Sequence, residues 1–406
     1  MQETWPFEFP GAYWIDEAEE QAVLDVLRKG SLFRYYGLGT PRYVDALESA
    51  ARDFYGVPCV LAVNSGTGAL TVALAALDIG PGCEVILPAY MWVASVGAVV
   101  QAGAIPVLCE VDDTFTMDPA DLERKITPNT KLILPIHMAG VPCEMAGIME
   151  VANRHGIPVL EDCAQCNGGE FKGKKVGTFG AVGIFSLQLN KNMTCGEGGL
   201  IITSDQKLYE RAFSAHDMGV VRVDGRLSTP EPYAVMWGQG RRMTELAGAV
   251  ASVQITKLPQ IVAHMRASKR RIKELIGEVP GLGYRRLNDP EGDTAPFMIL
   301  LLDTAQRAVR MADVLREAGM HNISVVAQAG QHIYYNIPPL VGKLPVSSAG
   351  NPWSLRANQG LGHSYEKGAC PVSDELFERS ILIPIPSRLT PEQEEWAAAT
   401  IRAAAV

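Results

Sequence analysis

The sequence has no apolar run long enough to cross a membrane. Its most apolar windows, residues 69–77 and 93–109, are interrupted by Gly, Pro, Gln or Asp well short of a span. Its N-terminus, Met1-Gln-Glu-Thr-Trp-Pro6, has no basic region followed by an apolar core, so neither a signal peptide nor a membrane partner is expected and the chain reads as cytoplasmic. Basic residues are in the minority, 36 against 45 acidic, for a net charge of −9. No basic stripe stands out, and Lys269-Arg270-Arg271 falls in a helical pattern as a solvated face, so nucleic acid is not an expected partner. Eight cysteines in 406 residues are too sparse for a disulfide scaffold. Cys163 and Cys166 form a Cys-x-x-Cys with no second pair after it, which reads as two small buried residues rather than a redox pair or half a zinc site. Asp112-Asp113 and His137 have no clustered partners in the sequence, so no metal is expected.

Hydrophobic residues make up 47% and charged residues 20%, an ordinary folded composition, and the length suggests two domains. Apolar positions at helical spacing predict helices over residues 15–29, 41–54, 69–77, 90–102, 118–125 and 145–154. Short β-branched and apolar runs predict strands over 60–63, 84–87, 105–110, 132–136, 159–161 and 182–185. Their alternation predicts an α/β fold, a mostly parallel sheet between helices. From Met243 to Ile276 the pattern is nearly continuous helix. Strands over 281–284, 297–302 and 323–326 and a helix over 304–318 then suggest a smaller C-terminal α/β domain. The expected division is 1–255 and 256–406. Residues 328–373, rich in Pro, Gly, Asn and aromatics, read as a long loop.

In a parallel sheet the ligand lies beyond the carboxyl ends of the strands. Asn64–Thr67, Pro88–Trp92, Asp162–Gln165 and Ser186–Lys191 all follow predicted strands and so face one crevice. Ser65-Gly66-Thr67 opens a helix, whose free first-turn amides and two hydroxyls suit an anion. Asp162 ends an apolar strand, where a carboxylate costs free energy unless a cation or donor meets it. Lys191 sits between an apolar strand and the glycine-rich turn around Glu197, and burial there would lower its pKa toward a nucleophilic amine. A phosphate seat, an acid and a lysine in this order are what a pyridoxal phosphate site requires. The lysine holds the aldehyde, the acid keeps the ring nitrogen protonated, and the helix end grips the phosphate. Trp92 is placed to stack on the ring, with core packing as its competing reading.

These stretches, Asn64-Ser-Gly-Thr67, Pro88-Ala-Tyr-Met-Trp-Val-Ala-Ser95, Glu161-Asp-Cys-Ala-Gln165, Gly180-Ala-Val-Gly-Ile-Phe-Ser186 and Lys191 to Gly199, resemble the DegT/StrS-type aminotransferases, over about residues 33–243. The resemblance implies a fold-type I pyridoxal phosphate transferase that aminates a ketone of a sugar or cyclitol, with glutamate or glutamine as donor. It implies Lys191 as the cofactor-linking lysine and proton carrier, Asp162 at the ring nitrogen, Gln165 near the ring, Trp92 on its face, and Ser65, Gly66, Thr67 and Ser186 at the phosphate. It also implies a homodimer with sites at the interface. One departure stands out: Gly238-Gln239-Gly240-Arg241-Arg242-Met243 puts Gly240 where the family has an asparagine that reaches the neighbouring subunit's phosphate, leaving Arg241 or Gln239 as substitutes.

Gln188 resembles members acting on cyclitol-like rings, whereas Thr194–Gly199 and Asp289–Asp293 resemble a branch acting on an octulosonate sugar, so the acceptor stays open. Arg34, Tyr35, His332 and Tyr334 are expected substrate contacts, with interface packing as the competing reading. Two other functions compete with transamination. One is a sugar dehydratase, whose relatives carry histidine in place of the lysine. The other is a cofactor-binding regulatory protein without turnover.

Overall fold

The computed structural model describes residues 5–39, 42–223 and 226–405; Pro41, where the second helix was expected to begin, lies outside them. Seven strands build the large sheet: β1 (Cys59–Val63), β2 (Glu84–Pro88), β3 (Ile105–Cys109), β4 (Thr130–Ile133), β5 (Leu160–Asp162), β6 (Val182–Ser186) and β7 (Gly199–Thr203). Parallel bridges Ile133–Val159 and Ile136–Asp162 join its two halves, giving the order β3-β2-β4-β5-β6-β7-β1. β7 pairs antiparallel with both β6 and β1, and the other six strands run parallel to one another. Strands β1, β2, β3, β6 and β7 are buried along their whole length, as strands covered on both faces must be.

Local signals set the helix ends. In α1 (Glu17–Lys29) Asp16 and Glu19 form a capping box and Gly30 closes the helix in the left-handed region. Helix α2 is Tyr43–Tyr55, and α3 (Gly66–Ala76) is capped by Ser65, whose Oγ accepts from the Gly68 amide at 2.9 Å. Helix α4 is Val93–Gln101, α5 Pro119–Lys125, α6 Met145–His155 and α7 Gln206–His216. Helix α8 (Glu245–Ile276) continues through Pro259 without a break. Among the described residues, α8 is the one helix long and apolar enough to cross a membrane, a window the sequence reading overlooked. Its apolar side is used inside the fold: Ile255, Leu258 and Val262 pack beneath the large sheet, and Ile272 and Ile276 pack beneath the second.

The second sheet, β8 (Leu282–Tyr284), β9 (Phe297–Leu302), β10 (Ser324–Val325) and β11 (Ser380–Pro384), is antiparallel in the order β8-β9-β11-β10. Helices α9 (Ala305–Glu317) and α11 (Pro391–Ala404) supply apolar residues to its core, with Trp5 from the N-terminal end of the chain. Strand β11, α10 (Pro371–Glu378) and α11 were not expected, and the long loop ends where α10 begins.

That loop is folded onto the large domain. Ile333, Tyr334, Ile337, Leu340 and Tyr365 are buried in its core cluster. Tyr334, expected to touch substrate, instead places its hydroxyl 3.0 Å from both oxygens of Asp374, and the Cys370 amide donates to it at 3.2 Å. Lys269 likewise departs from its expected solvated face: it is buried against Asp293, while Arg270 and Arg271 remain exposed on Glu291 and Glu395.

Arg34 and Tyr35 also turn inward. Arg34 is ion-paired with Glu48 at 2.8 Å and donates to the Ala62 carbonyl at 3.2 Å. The Tyr35 hydroxyl lies 2.9 Å from His216 Nε2, while His216 Nδ1 faces the Phe213 carbonyl. Tyr35 therefore donates, and the imidazole is neutral. Two outcomes follow from these contacts. Tyr334→Phe removes a hydroxyl from a buried carboxylate and should lower stability by about 1–3 kcal/mol in urea unfolding. Burial, with the nearby Arg34 charge, holds the His216 pKa down to about 3. The unfolded chain binds that proton near 6.5 and the folded chain does not. Stability should therefore fall as pH drops from about 6.5 toward 3, and His216→Gln should flatten that part of the urea midpoint profile.

Candidate active site

A cavity of about 340 Å³ opens at the carboxyl ends of the large sheet, within the range of small-molecule sites. Ser65, Gly66, Thr67, Trp92, Asp162, Gln165, Ser186, Gln188, Lys191 and His332 line it, together with Ser95, Asn190 and Glu197. Arg34, Tyr35 and Tyr334 do not, because each is held inside the fold by the partners just described.

The floor begins with alternation along β5. Glu161 and Asp162 are neighbours in an extended strand and so point to opposite sides. Asp162 reaches the cavity, where Oδ2 accepts from the Ser95 hydroxyl at 2.7 Å and Oδ1 from the Ala164 amide at 3.0 Å. Burial raises the Asp162 carboxyl above its usual range, opposed by those two donors and by Lys191. A cationic ring N–H is the kind of partner that reverses such a shift. Ser95, on the first turn of α4, is a site residue that sequence reasoning missed. Its signal was a polar residue in the apolar first turns of a helix that follows a strand.

Glu161 goes the other way. Its Oε1 accepts from the Phe179 and Gly180 amides at 2.7 Å each, and its Oε2 from the Gly177 amide at 2.8 Å, with His137 Nε2 at 3.2 Å. The Cys143 amide donates to His137 Nδ1 at 3.0 Å, so the ring proton lies on Nε2, facing Glu161. His137, Glu161 and Cys163 thus come within 4.8 Å of one another, a buried cluster the sequence spacing did not suggest. Its carboxylate already has four donors, and the cluster acts as an anchor for the end of β5. Cys163 and Cys166 are buried free thiols, as expected. Asp112 and Asp113 pair with Arg286 at 2.9 and 2.8 Å.

The anion seat is equally confined. A Cβ on Gly66 would stand 2.7 Å from Ser186 Cβ, so the absence of a side chain lets the Ser186 hydroxyl approach the first turn of α3. Gly199 runs so close to the Ser65 carbonyl that a Cβ would lie 2.5 Å away, which presses the loop before β7 against the same turn. Lys191 stands on that β6–β7 loop, closed by Leu187 N to Gly198 O at 2.9 Å and Leu189 N to Gly196 O at 3.0 Å. Burial lowers the Lys191 pKa against the pull of Asp162 and Glu197.

Overhead, the Met91 amide donates to the His332 carbonyl at 2.9 Å, and Tyr90 bridges to Ile333, which brings His332 to the mouth. The His332 ring lies 4.6 Å from Trp92. His332 Nδ1 donates to the Ala329 carbonyl at 3.0 Å, leaving Nε2 as acceptor for the Gln165 amide at 3.3 Å. Burial keeps this histidine below its usual pKa. Gln239, Gly240 and Arg241 do not line this chain's cavity, and a Cβ at Gly240 would meet nothing within 4 Å. The donor set therefore fits pyridoxal phosphate: helix-end amides and hydroxyls for a phosphate, a buried carboxylate for a ring N–H, and a buried amine for an aldehyde.

Comparison with known proteins agrees with this geometry. Residues 14–349 match the DegT/DnrJ/EryC1/StrS aminotransferase family. The chain is 32% identical over 403 residues to an L-glutamine:2-deoxy-scyllo-inosose aminotransferase of Streptomyces fradiae, covering 94% of this chain and 88% of that protein. It is 34% identical over 385 residues to the Streptomyces kanamyceticus protein of the same description, covering 91% and 84%. Its fold superposes on the crystal structure of 3-amino-5-hydroxybenzoic acid synthase with a TM-score of 0.80 at 26% identity, covering 98% of each chain. The chain belongs to the DegT/DnrJ/EryC1/StrS family and is a pyridoxal phosphate-dependent aminotransferase.

Proposed function

We propose that this aminotransferase takes its amino group from L-glutamine and delivers it to a ketone of a cyclitol, acting as a cytoplasmic homodimer. The observation that carries the reading is the meeting of Lys191, Asp162 and the first turn of α3 in one cavity. Bound pyridoxal phosphate supplies an aldehyde that accepts the amino group and a ring that stores the electron pair. Lys191 Nζ would hold the aldehyde and, as a free amine, would carry a proton at the reacting carbons. Asp162 would keep a proton on the ring nitrogen, the amides and hydroxyls of Ser65, Gly66, Thr67 and Ser186 would hold the phosphate, Trp92 would cover the ring, and Gln165, held by His332, would stand beside it.

The cyclitol reading is supported by the two Streptomyces relatives and by the charge of the cavity. Among the described lining residues Lys191 is the one Lys or Arg, and the rest of the polar wall, Gln188, Asn190, Glu197 and His332, suits a neutral polyol better than a nucleotide diphosphate. Dimer formation is supported by the exposure of large apolar side chains, Trp237 at 95% and Tyr36, Met218 and Val235 at 60% or more. Residues 1–255 would then form most of the cofactor-binding body, with the 328–373 loop packed onto it, and the rest of 256–406 the smaller domain, which also takes in Trp5, with α8 crossing between them.

The test is the visible spectrum of the protein with pyridoxal phosphate, before and after L-glutamine, followed by addition of 2-deoxy-scyllo-inosose. Glutamine should bleach the lysine-linked band and the cyclitol ketone should restore it. A band that responds to the donor but is restored only by nucleotide-linked keto-sugars would overturn the acceptor assignment. Lys191→Ala should fold normally, form no lysine-linked band and show no half-reaction. Asp162→Asn should lose on the order of a hundredfold or more in rate, because its ring-nitrogen charge partner is gone.

A further inference from the structure

The N-terminal segment makes a contact that neither the cavity nor the sequence motifs explain. The Gly11 amide donates to the Lys191 carbonyl at 2.9 Å. Gly11 has φ −64° and ψ −35°, a conformation open to any residue, so backbone freedom is not the reason for glycine here. Space is the reason. A Cβ would stand 2.9 Å from the Lys191 carbonyl oxygen, 3.0 Å from the Thr194 amide nitrogen and 3.1 Å from Thr194 Cγ2.

The same segment is tied to the small domain. Ser387, between β11 and α11, donates its amide to the Glu8 carboxylate and its hydroxyl to the Pro10 carbonyl at 3.2 Å, and it accepts from Trp14 Nε1 at 3.0 Å. The Arg388 guanidinium lies 4.4 Å above the Trp14 ring. Trp14 packs on Ile261 and Met265 of α8, and Lys257 donates to its carbonyl at 2.9 Å. A second strut reaches the lysine loop at Thr194, whose amide meets Gln254 Oε1 at 3.5 Å while Gln254 Nε2 donates to Glu19 at 2.8 Å. None of Glu8, Gly11, Trp14, Gln254 or Ser387 lines the cavity.

We propose that Gly11 is a positioning residue for Lys191, and that Glu8–Trp14 is a strap through which the small domain sets where the lysine stands. The inference rests on Lys191 being the cofactor-linking lysine. An added methyl at Gly11 must push the Lys191 peptide by several tenths of an ångström, and displacements of that kind at a reacting group are costly. Ser387→Ala acts from the far end: it removes the hydroxyl's bonds to Pro10 and Trp14, keeps the backbone amide on Glu8, and so loosens the strap without adding an atom near the lysine.

The test compares Gly11→Ala and Ser387→Ala with the wild-type holoenzyme. Gly11→Ala should lower kcat about tenfold with glutamine KM within about twofold, and should shift the pH midpoint of the lysine-linked band. Ser387→Ala should shift that midpoint in part and, in the cofactor-free protein, speed amide exchange of residues 188–196. Unchanged band midpoint, kcat and exchange in Ser387→Ala would overturn the proposal even if Gly11→Ala failed to fold. A wild-type protein with no lysine-linked band would instead remove the assignment of Lys191, and the positioning role with it.

Discussion

The site depends on one buried carboxylate, Asp162, held at the end of a strand with its charge facing a cavity. A carboxylate at that depth is unfavourable unless its surroundings are fixed in advance. Its strand neighbour does the fixing. Glu161 points beneath the sheet and gathers three backbone amides from the turn before β6, with His137 as a fourth donor. The strand cannot slip or rotate without breaking all four. Asp162 then accepts from one hydroxyl and one amide, with its charge otherwise facing the cavity.

The antiparallel course of β7 has a comparable consequence. A parallel strand after β6 would need a crossover, carrying the chain away from the carboxyl end of the sheet. Because β7 returns directly beside β6, the connecting loop folds back over the same end and presents Lys191 to Asp162. Residues Gly66 and Gly199, which have no room for side chains, bring that loop and the first turn of α3 into contact. Asp162, Lys191 and the first turn of α3 are therefore placed by the ends of β5, β6 and β1, and the rest of the fold holds those ends in register.

Much of this was legible beforehand, and for a definite reason. Lys191, Asp162 and Ser65-Gly66-Thr67 each follow an apolar strand by a residue or a few, and strand ends in a parallel sheet face one crevice whatever the detailed packing. His332, expected as a substrate contact, reaches the cavity although it lies in a long loop, because that loop pairs with residues 90 and 91. Arg34, Tyr35 and Tyr334 were misplaced by the opposite circumstance. Polar and aromatic residues in loops look available for ligands. Here Glu48, His216 and Asp374 satisfy them internally, the last two from parts of the chain no local pattern connects to them. Lys269 was assigned to solvent on the same grounds and is paired with Asp293 instead.

The sequence by itself determined the alternation of strands and helices, the three strand-end motifs and hence the chemistry, since these depend on residue type and spacing within a few positions. Tertiary structure alone decided which polar side chains reach the cavity, that Ser95 meets Asp162, that the long loop brings His332 to the mouth, and that Gly11 meets Lys191 from 180 residues away. Those contacts join segments with no periodic relation to one another. They arise only when burial forces each remaining polar group to find a partner.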